Sequence, residues 1–442
     1  MTDSIAVSGD TILTRRISSL DDSGVAAIAE IFRSADVGFT HFETVIHDYD
    51  GDSVHPAAEA GGTWMRSPDF AVAELEWLGV DIVSHASNHA LDYGYGALRN
   101  TWDAFERANM PIAGTGEDLS EARGPVFLDT DIGRVALVSA TTSFAPWSRA
   151  GQTRDDHHGR PGLNPLGFHY AVPPEALQRI KTLAARLGLW VTELADGEWA
   201  LHPPGLHNTL TKFSEADVDR PRMVADDRDR RGNLRAIRTA ARQADFVITH
   251  LHTHEWDSSG TLADPPKFVR QFARDCVDAG TDLFIGQGSH VLRPIELYRG
   301  KPIFYDPGDL MMTNNTVDRL PAEFYERFAH TLEGDPRSSS PPDGQRARPT
   351  GYKEAVVPSD GYLGTPHGRR PIVPVCEFDE DRGVKQITLW PARLQTEPVS
   401  HSGIPARPTS EEANAIIRYV EELSEPFGTD ILVEDGVGVI EP

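Results

Sequence analysis

Cysteine is almost missing from this sequence. Two residues, Cys276 and Cys376, occur in a chain of 442. A disulfide framework or a four-thiolate zinc ribbon needs more than that, so both read as small buried hydrophobes. Basic charge is also scarce: 42 Lys and Arg against 67 Asp and Glu leave a net charge of -25. A field of that sign repels phosphate, which excludes general attraction to nucleic acid or to an anionic membrane. Only a local cluster such as Arg228, Arg230 and Arg231 runs against it. Long apolar runs are absent as well, and no window resembles a membrane-spanning helix. The opening MTDSIAVSGD has neither a basic nor an apolar leader segment. The expectation is a cytoplasmic, unanchored protein with no nucleic-acid or membrane partner.

The material for a core is present, with 39% hydrophobic and 25% charged residues. The length exceeds a usual single core, so one elaborated domain or two are expected. Strand and helix patterns alternate. Ser4–Val7 runs into Gly9-Asp10, a helix follows over Gly24–Arg33, and Val37–Phe42 delivers Glu43. A helix at Asp69–Leu78 and a strand at Asp81–Ser84 lead to Ser87-Asn88-His89, and a helix over Gly94–Ala108 comes next. Val126–Leu128 and Val135–Val138 read as paired strands. Farther on, Phe246–Leu251 ends at His252-Thr253-His254-Glu255, Asp282–Ile285 at Gly286–His290, and Pro302–Tyr305 at Asp306 and Asp309. Polar residues just past strand ends mark the ligand-binding edge of an α/β sheet.

Between these runs, residues 144–231 break the rhythm. They hold one clear helix, Pro174–Leu187, in a stretch rich in Pro, Gly, His and Asp, and read as an irregular lid or substrate wall. It carries Trp147, His157, His158, His169, Trp190, Trp199 and His207. The parts are therefore a core in two halves (residues 1–143 and 232–333) around this insertion. A mobile loop over 334–370 and a C-terminal unit, 371–442, follow. The last contains a hairpin, Val373–Phe378 with Val384–Leu389, and a helix opened by the capping box Thr409-Ser-Glu-Glu412.

Five strand ends each release a metal-competent side chain: Asp10, Glu43, Asn88-His89, His252 with His254, and His290. Carboxylate, amide oxygen and imidazole together suit a divalent ion such as Mn, Fe, Zn, Mg or Co. One such residue alone reads as a cap or a packed side chain; recurrence at successive strand ends is what points to a metal. Asp306 and Asp309 read as orienters of metal-binding histidines, with Asp306 also a candidate acid or base. Arg293 is a candidate for binding a substrate carboxylate through paired N–H groups, or a salt bridge.

The runs Gly9-Asp10, Phe42-Glu43 and Ser87-Asn88-His89-Ala-Leu-Asp92-Tyr-Gly94 resemble the CapA (poly-gamma-glutamate synthesis protein) family. So do His252-Thr-His-Glu-Trp256, Gly286-Gln-Gly-Ser-His290-Val-Leu-Arg-Pro-Ile-Glu296 and Tyr305-Asp-Pro-Gly308-Asp309. That family is similar to calcineurin-like metallophosphatases. The resemblance implies a four-layer α/β/β/α sandwich with one ion held by Asp10, Glu43 and His290. A second would be held by Glu43, Asn88 and His252, with His89 as general acid oriented by Asp92. Two departures stand out. The family's Asp-x-His start is Asp10-Thr-Ile here, and its late His-x-His is Gly288-Ser-His290. One ion, or one tight and one labile, is the expectation, with His254 offsetting one loss.

With one ion, polarising a carbonyl to acidify a Cα–H gains weight over two-ion phosphoester hydrolysis. The chain resembles members of the family that epimerise the C-terminal residue of lasso-peptide precursors. That implies a metal-dependent peptide epimerase acting on a peptide or leader-bearing precursor, with acid/base roles among His89, His252, His254 and Asp306. The alternatives are a metal-dependent hydrolase of a phosphoester or of a gamma-glutamyl or peptide amide, and a non-catalytic subunit of polymer biosynthesis.

Overall fold

The computed structural model describes residues 3–51, 53–194, 197–206, 211–257, 260–352, 369–380 and 382–442. Two sheets face each other. In the first, the parallel run Asp3–Ile12, Val37–Phe42, Ile82–Ser84 and Ile112–Ala113 is extended by antiparallel strands Ile372–Phe378, Val384–Pro391, Val437–Ile440 and Leu432–Glu434. In the second, Gly133–Thr141, Phe246–His252, Leu283–Gln287 and Lys301–Phe304 run parallel, with antiparallel Val126–Thr130 and Ile295–Tyr298 at the edges.

Side-chain alternation along the strands builds the layers. Ile5, Val7 and Phe39 of the first sheet meet Phe246, Ile248, Leu283 and Ile285 of the second in one apolar layer. Ala6 and Val83 turn the other way, onto Ile28 and Phe32 of the helix Ser23–Ser34 and Leu75 of the helix Ala71–Leu78. Val247 and Phe284 turn onto Ile237 of Asp227–Ala240 and Phe272 of Lys267–Ala279. Helix, sheet, sheet, helix is the four-layer sandwich expected of a metallophosphatase-like chain. Ile416, Ile417 and Val420 of Ser410–Ser424 join the inter-sheet layer, behind a capping box in which Thr409 and Glu412 cap each other. Cys276 and Cys376 are buried and free, and belong to different layers.

Two regions differ from the sequence-based expectation. The insertion is not irregular: Trp190–Glu193, Glu198–His202, Thr211–Glu215, Phe168–Val172 and Arg222–Ala225 form a five-stranded sheet beside the helix Pro174–Leu187. Phe168 packs on Phe268 with ring centroids 5.4 Å apart, which ties this sheet to a helix of the second layer. His157 and His158 are exposed, and His207 lies outside the described residues. The segment expected as a mobile loop carries a helix, Pro341–Tyr352, whose Ala347 packs among Phe324, Tyr325, Phe328 and Trp64. No described helix is long and apolar enough to cross a membrane.

Candidate metal centre

The apolar layer between the sheets changes character at the C-terminal ends of its strands. Phe39 is followed on the same strand face by His41, and the next inward position is Glu43. Phe246 and Ile248 are followed by His250 and His252. Asp10 joins them because the register between its strand and Val37–Phe42 shifts between Val7 and Asp10, where Val7 faces Phe39 and Asp10 faces His41. Gly9 sits inside that irregularity for steric reasons, since a Cβ there would lie 1.6 Å from the Gly308 carbonyl oxygen. Gly288, at φ +104°, bends the chain past the His252 ring.

Asp10, Glu43, Asn88, His89, His252, His254 and His290 thus converge from separate segments. Nε2 of His252 lies 2.8 Å from Asn88 Oδ1, 3.1 Å from His254 Nε2 and 3.4 Å from Glu43 Oε1. His254 Nε2 is 3.3 Å from Asn88 Oδ1. Asp10 Oδ2 is 3.5 Å from His290 Nδ1, and Asp10 Oδ1 is 3.7 Å from His252 Nδ1. His290 Nδ1 is also 2.8 Å from Asp309 Oδ1. Outside this set, His89 Nδ1 sits 2.6 Å from Asp92 Oδ2, which also accepts from the Met65 amide at 2.6 Å.

Such a set fits a divalent ion on grounds of polar satisfaction. Both oxygens of Asp10, both of Glu43, Asp309 Oδ2, His252 Nδ1 and His41 Nε2 are buried without a hydrogen-bond partner. Buried charged groups persist only when paired or bound to a metal, and so dense a group of orphans calls for a cation. Ligand atoms about 2.1 Å from one ion lie roughly 3.0 to 3.4 Å from one another, and the distances around His252 Nε2 fall close to that range. Glu43, His254 and His290 offer one ion-holding trio; Asp10, His290 and Asp309 offer another.

The electrostatics agree. Burial raises the Asp10 carboxyl to about 6, with His290 pulling back. Burial and then the Asp10 charge push Glu43 well above the carboxylate range. Burial, followed by neighbouring imidazoles, holds His252 and His254 well below the usual histidine value, so both are neutral and have a lone pair to give. At His290 burial acts downward too, but Asp309, Glu43 and Asp10 outweigh it and leave the ring raised.

Two expected site residues sit elsewhere. Asp306 does not reach the centre as a free acid or base: its Oδ2 accepts from the Ser289 amide and hydroxyl at 2.9 and 2.7 Å, and its Oδ1 from the Gly308 amide at 2.8 Å. It pins the two loops that bring His290 and Asp309 together. Arg293 keeps its Nη1 buried without a hydrogen-bond partner. It is buried, and its Nε and Nη2 each donate at 2.9 Å, to the carbonyls of Leu262 and Glu255. Gly61 packs against Asn88, where a Cβ would fall 1.9 Å from Asn88 Nδ2. Two residues that the sequence reading passed over line the same interior: His41, and His250 stacked on it with centroids 4.4 Å apart. The signal for both was the spacing His41-x-Glu43 and His250-x-His252-x-His254.

A family model for the bacterial capsule synthesis protein PGA_cap matches residues 4–314. The chain belongs to that family. The Sinorhizobium fredii protein y4sH is 31% identical over 439 residues, spanning 98% of this chain and 91% of its own length. The PGA biosynthesis protein CapA of Bacillus subtilis is 23% identical over 309 residues, 69% of this chain and 61% of that protein. A probable polyglutamine synthesis accessory protein of Mycobacterium tuberculosis is 29% identical over 251 residues, 56% of this chain and 49% of that protein.

Proposed function

We propose that this chain is a metal-dependent peptide epimerase that inverts a Cα centre, at the C-terminal residue of a ribosomal precursor in the cytoplasm. The supporting observation is a pair of imidazoles at a centre of orphaned carboxylates: His89 anchored on Asp92, and His254 fixed through its backbone N–H to Ser143 Oγ at 2.8 Å. Asp10, Glu43, Asn88, His252 and His290 would hold one or two divalent ions. A bound ion would supply Lewis-acid polarisation of a carbonyl or carboxylate oxygen, which acidifies the adjacent Cα–H. His89 has Nδ1 committed to Asp92 and Nε2 left to carry a proton. One imidazole takes the Cα proton and the other delivers a proton to the opposite face, so the pair ends with exchanged protonation states and no net proton is consumed. The y4sH likeness runs the whole length, whereas the relatives named for polymer synthesis match little more than half to two thirds of the chain.

A second reading, hydrolysis of a phosphoester or of a gamma-glutamyl or peptide amide, is favoured by the number of donors, enough for two ions, and by the His89–Asp92 couple as proton donor to a leaving group. Heavy water separates the readings. The metal-loaded protein is incubated with candidate precursor peptides in D2O and the products are weighed. One deuterium gained without cleavage, and lost with a chelator or with His89→Ala, is the expected result. Fragments or free phosphate without uptake would transfer the assignment to the hydrolase. A chain inert in both assays would favour a non-catalytic role, in line with the accessory protein that the Mycobacterium tuberculosis relative is named as.

A further inference from the structure

The orphaned atoms are not confined to the mouth of the centre. One layer deeper, between the sheets, Asp10 Oδ1 lies 4.0 Å from His41 Nε2 and 3.7 Å from His252 Nδ1. Each of these three atoms is buried and has no hydrogen-bond partner, and the three residues each offer a ligand atom within 4.8 Å of the others. Both rings are placed by contacts at their other nitrogen. His41 Nδ1 is 2.8 Å from Ser84 Oγ, and His252 Nε2 is 2.8 Å from Asn88 Oδ1. In the tautomers where those nitrogens carry the proton and donate it, His41 Nε2 and His252 Nδ1 each turn a lone pair towards Asp10.

We propose that Asp10, His41 and His252 form an inner metal site, with His41 standing in for the histidine that is missing two residues after Asp10. The site rests on the metal-dependent reading above but not on the reaction assigned to it. Two imidazoles and one carboxylate select a borderline ion of the zinc, cobalt or iron(II) class over magnesium or calcium. The separations of 3.7 and 4.0 Å from Asp10 exceed the roughly 3.4 Å between tetrahedral ligands at 2.1 Å, so the three side chains draw together on binding. An inner ion leaves Glu43, Asn88 and His290 for the outer position. It places a fixed positive charge behind Asp10 and under the centre where the substrate would sit.

Chelator-treated full-length protein titrated with Zn2+ and with Co2+ tests this without any substrate. Ions per chain are counted by elemental analysis after dialysis, and cobalt absorption reports nitrogen ligation. His41→Asn is expected to bind one ion fewer per chain, or to bind it at least tenfold more weakly, with a changed cobalt spectrum and an unchanged far-ultraviolet dichroism. Ser84→Ala keeps the ring and removes its orienting contact, so a loss of about tenfold is expected there; it decides the matter should His41→Asn fail to fold. Wild-type stoichiometry, affinity and spectrum in the folded variants would overturn the inner site. A protein that binds this ion yet exchanges no Cα proton removes the epimerase and leaves the site standing.

Discussion

The two ends of the inter-sheet layer are made by the same strands and the same strand faces, yet they are chemical opposites. At one end Phe39 and Ile248 bury hydrocarbon against the facing sheet. Two residues farther along each strand, His41 and His250 begin a set of titratable groups that have lost their water without gaining full partners. The first end is where burial stabilises the fold, at about 25 cal/mol per Å2 of apolar surface. The second draws on that stability, because a desolvated carboxylate with no donor costs free energy until a cation arrives. Activity and stability are thus assigned to opposite ends of one layer, and each assignment has a mutation that would break it.

The largest expected effect is at the apolar end. Phe39→Ala should cost about 3 to 5 kcal/mol of unfolding free energy, the usual range for emptying a packed aromatic site, while ions per chain stay unchanged. Glu43→Leu should do the reverse. It removes a buried carboxyl whose oxygens have no hydrogen-bond partner, so the ion-free chain should gain on the order of 1 kcal/mol or more, and metal binding at the outer position should collapse. Denaturant melts of the two variants, with and without metal, check both signs. If Phe39→Ala emptied the metal site, or Glu43→Leu destabilised the ion-free chain, the division between the ends would fail.

Next in size is a pH effect with an inverted sign. Asp10 has its folded value raised to about 6 by burial, against an ordinary carboxyl at 3.8. The folded chain then holds the proton more tightly than the unfolded chain. The contribution is fully present below about pH 4 and is lost as pH rises through 6. Glu43 is pushed in the same direction. The Asp10 and Glu43 contribution should therefore fall by on the order of a few kcal/mol between pH 4 and 7, opposite in sign to that of His252 and His254, whose lowered values favour the fold as pH rises. Saturating metal should abolish that slope, since the ionised carboxylates are what the cation binds. A melting series across that range, with and without chelator, reads it directly; equal slopes in the two series would refute the cation's role.

That layout also explains what was legible in the sequence. Asp10, Glu43, Asn88, His89, His252 and His290 were readable because each follows an apolar run, and the sandwich brings those run ends together. His41 and His250 sit inside strands, where a histidine among apolar neighbours reads as packing unless its period-two partner is counted. Asp306 holds the loops of His290 and Asp309, in keeping with its reading as an orienter, whereas the carbonyls that Arg293 satisfies were not legible, since sequence spacing does not say which backbone groups a buried side chain meets. The inserted sheet was missed because its strands are short and half-exposed, as in Thr211–Glu215, so their alternation is faint. The helix Pro341–Tyr352 was missed because two prolines open it and another interrupts its composition; its packing against Phe324 is a tertiary contact no local signal carries.

The smallest prediction concerns a feature that was plain in the sequence and lies far from any metal ligand. Thr409 accepts from the Glu412 amide at 3.3 Å, while the Glu412 carboxylate accepts from the Thr409 amide at 2.9 Å. The helix they open sends Ile416, Ile417 and Val420 into the apolar layer. Thr409→Ala should cost about 1 kcal/mol, the ordinary value of a lost N-cap, and this loss should add to that of Phe39→Ala, because the two sites do not share a partner. Metal stoichiometry and the pH slope should not move. A shift in either would mean that the apolar end and the metal end are coupled through the layer they share, and the two halves of the comparison would have to be treated as one.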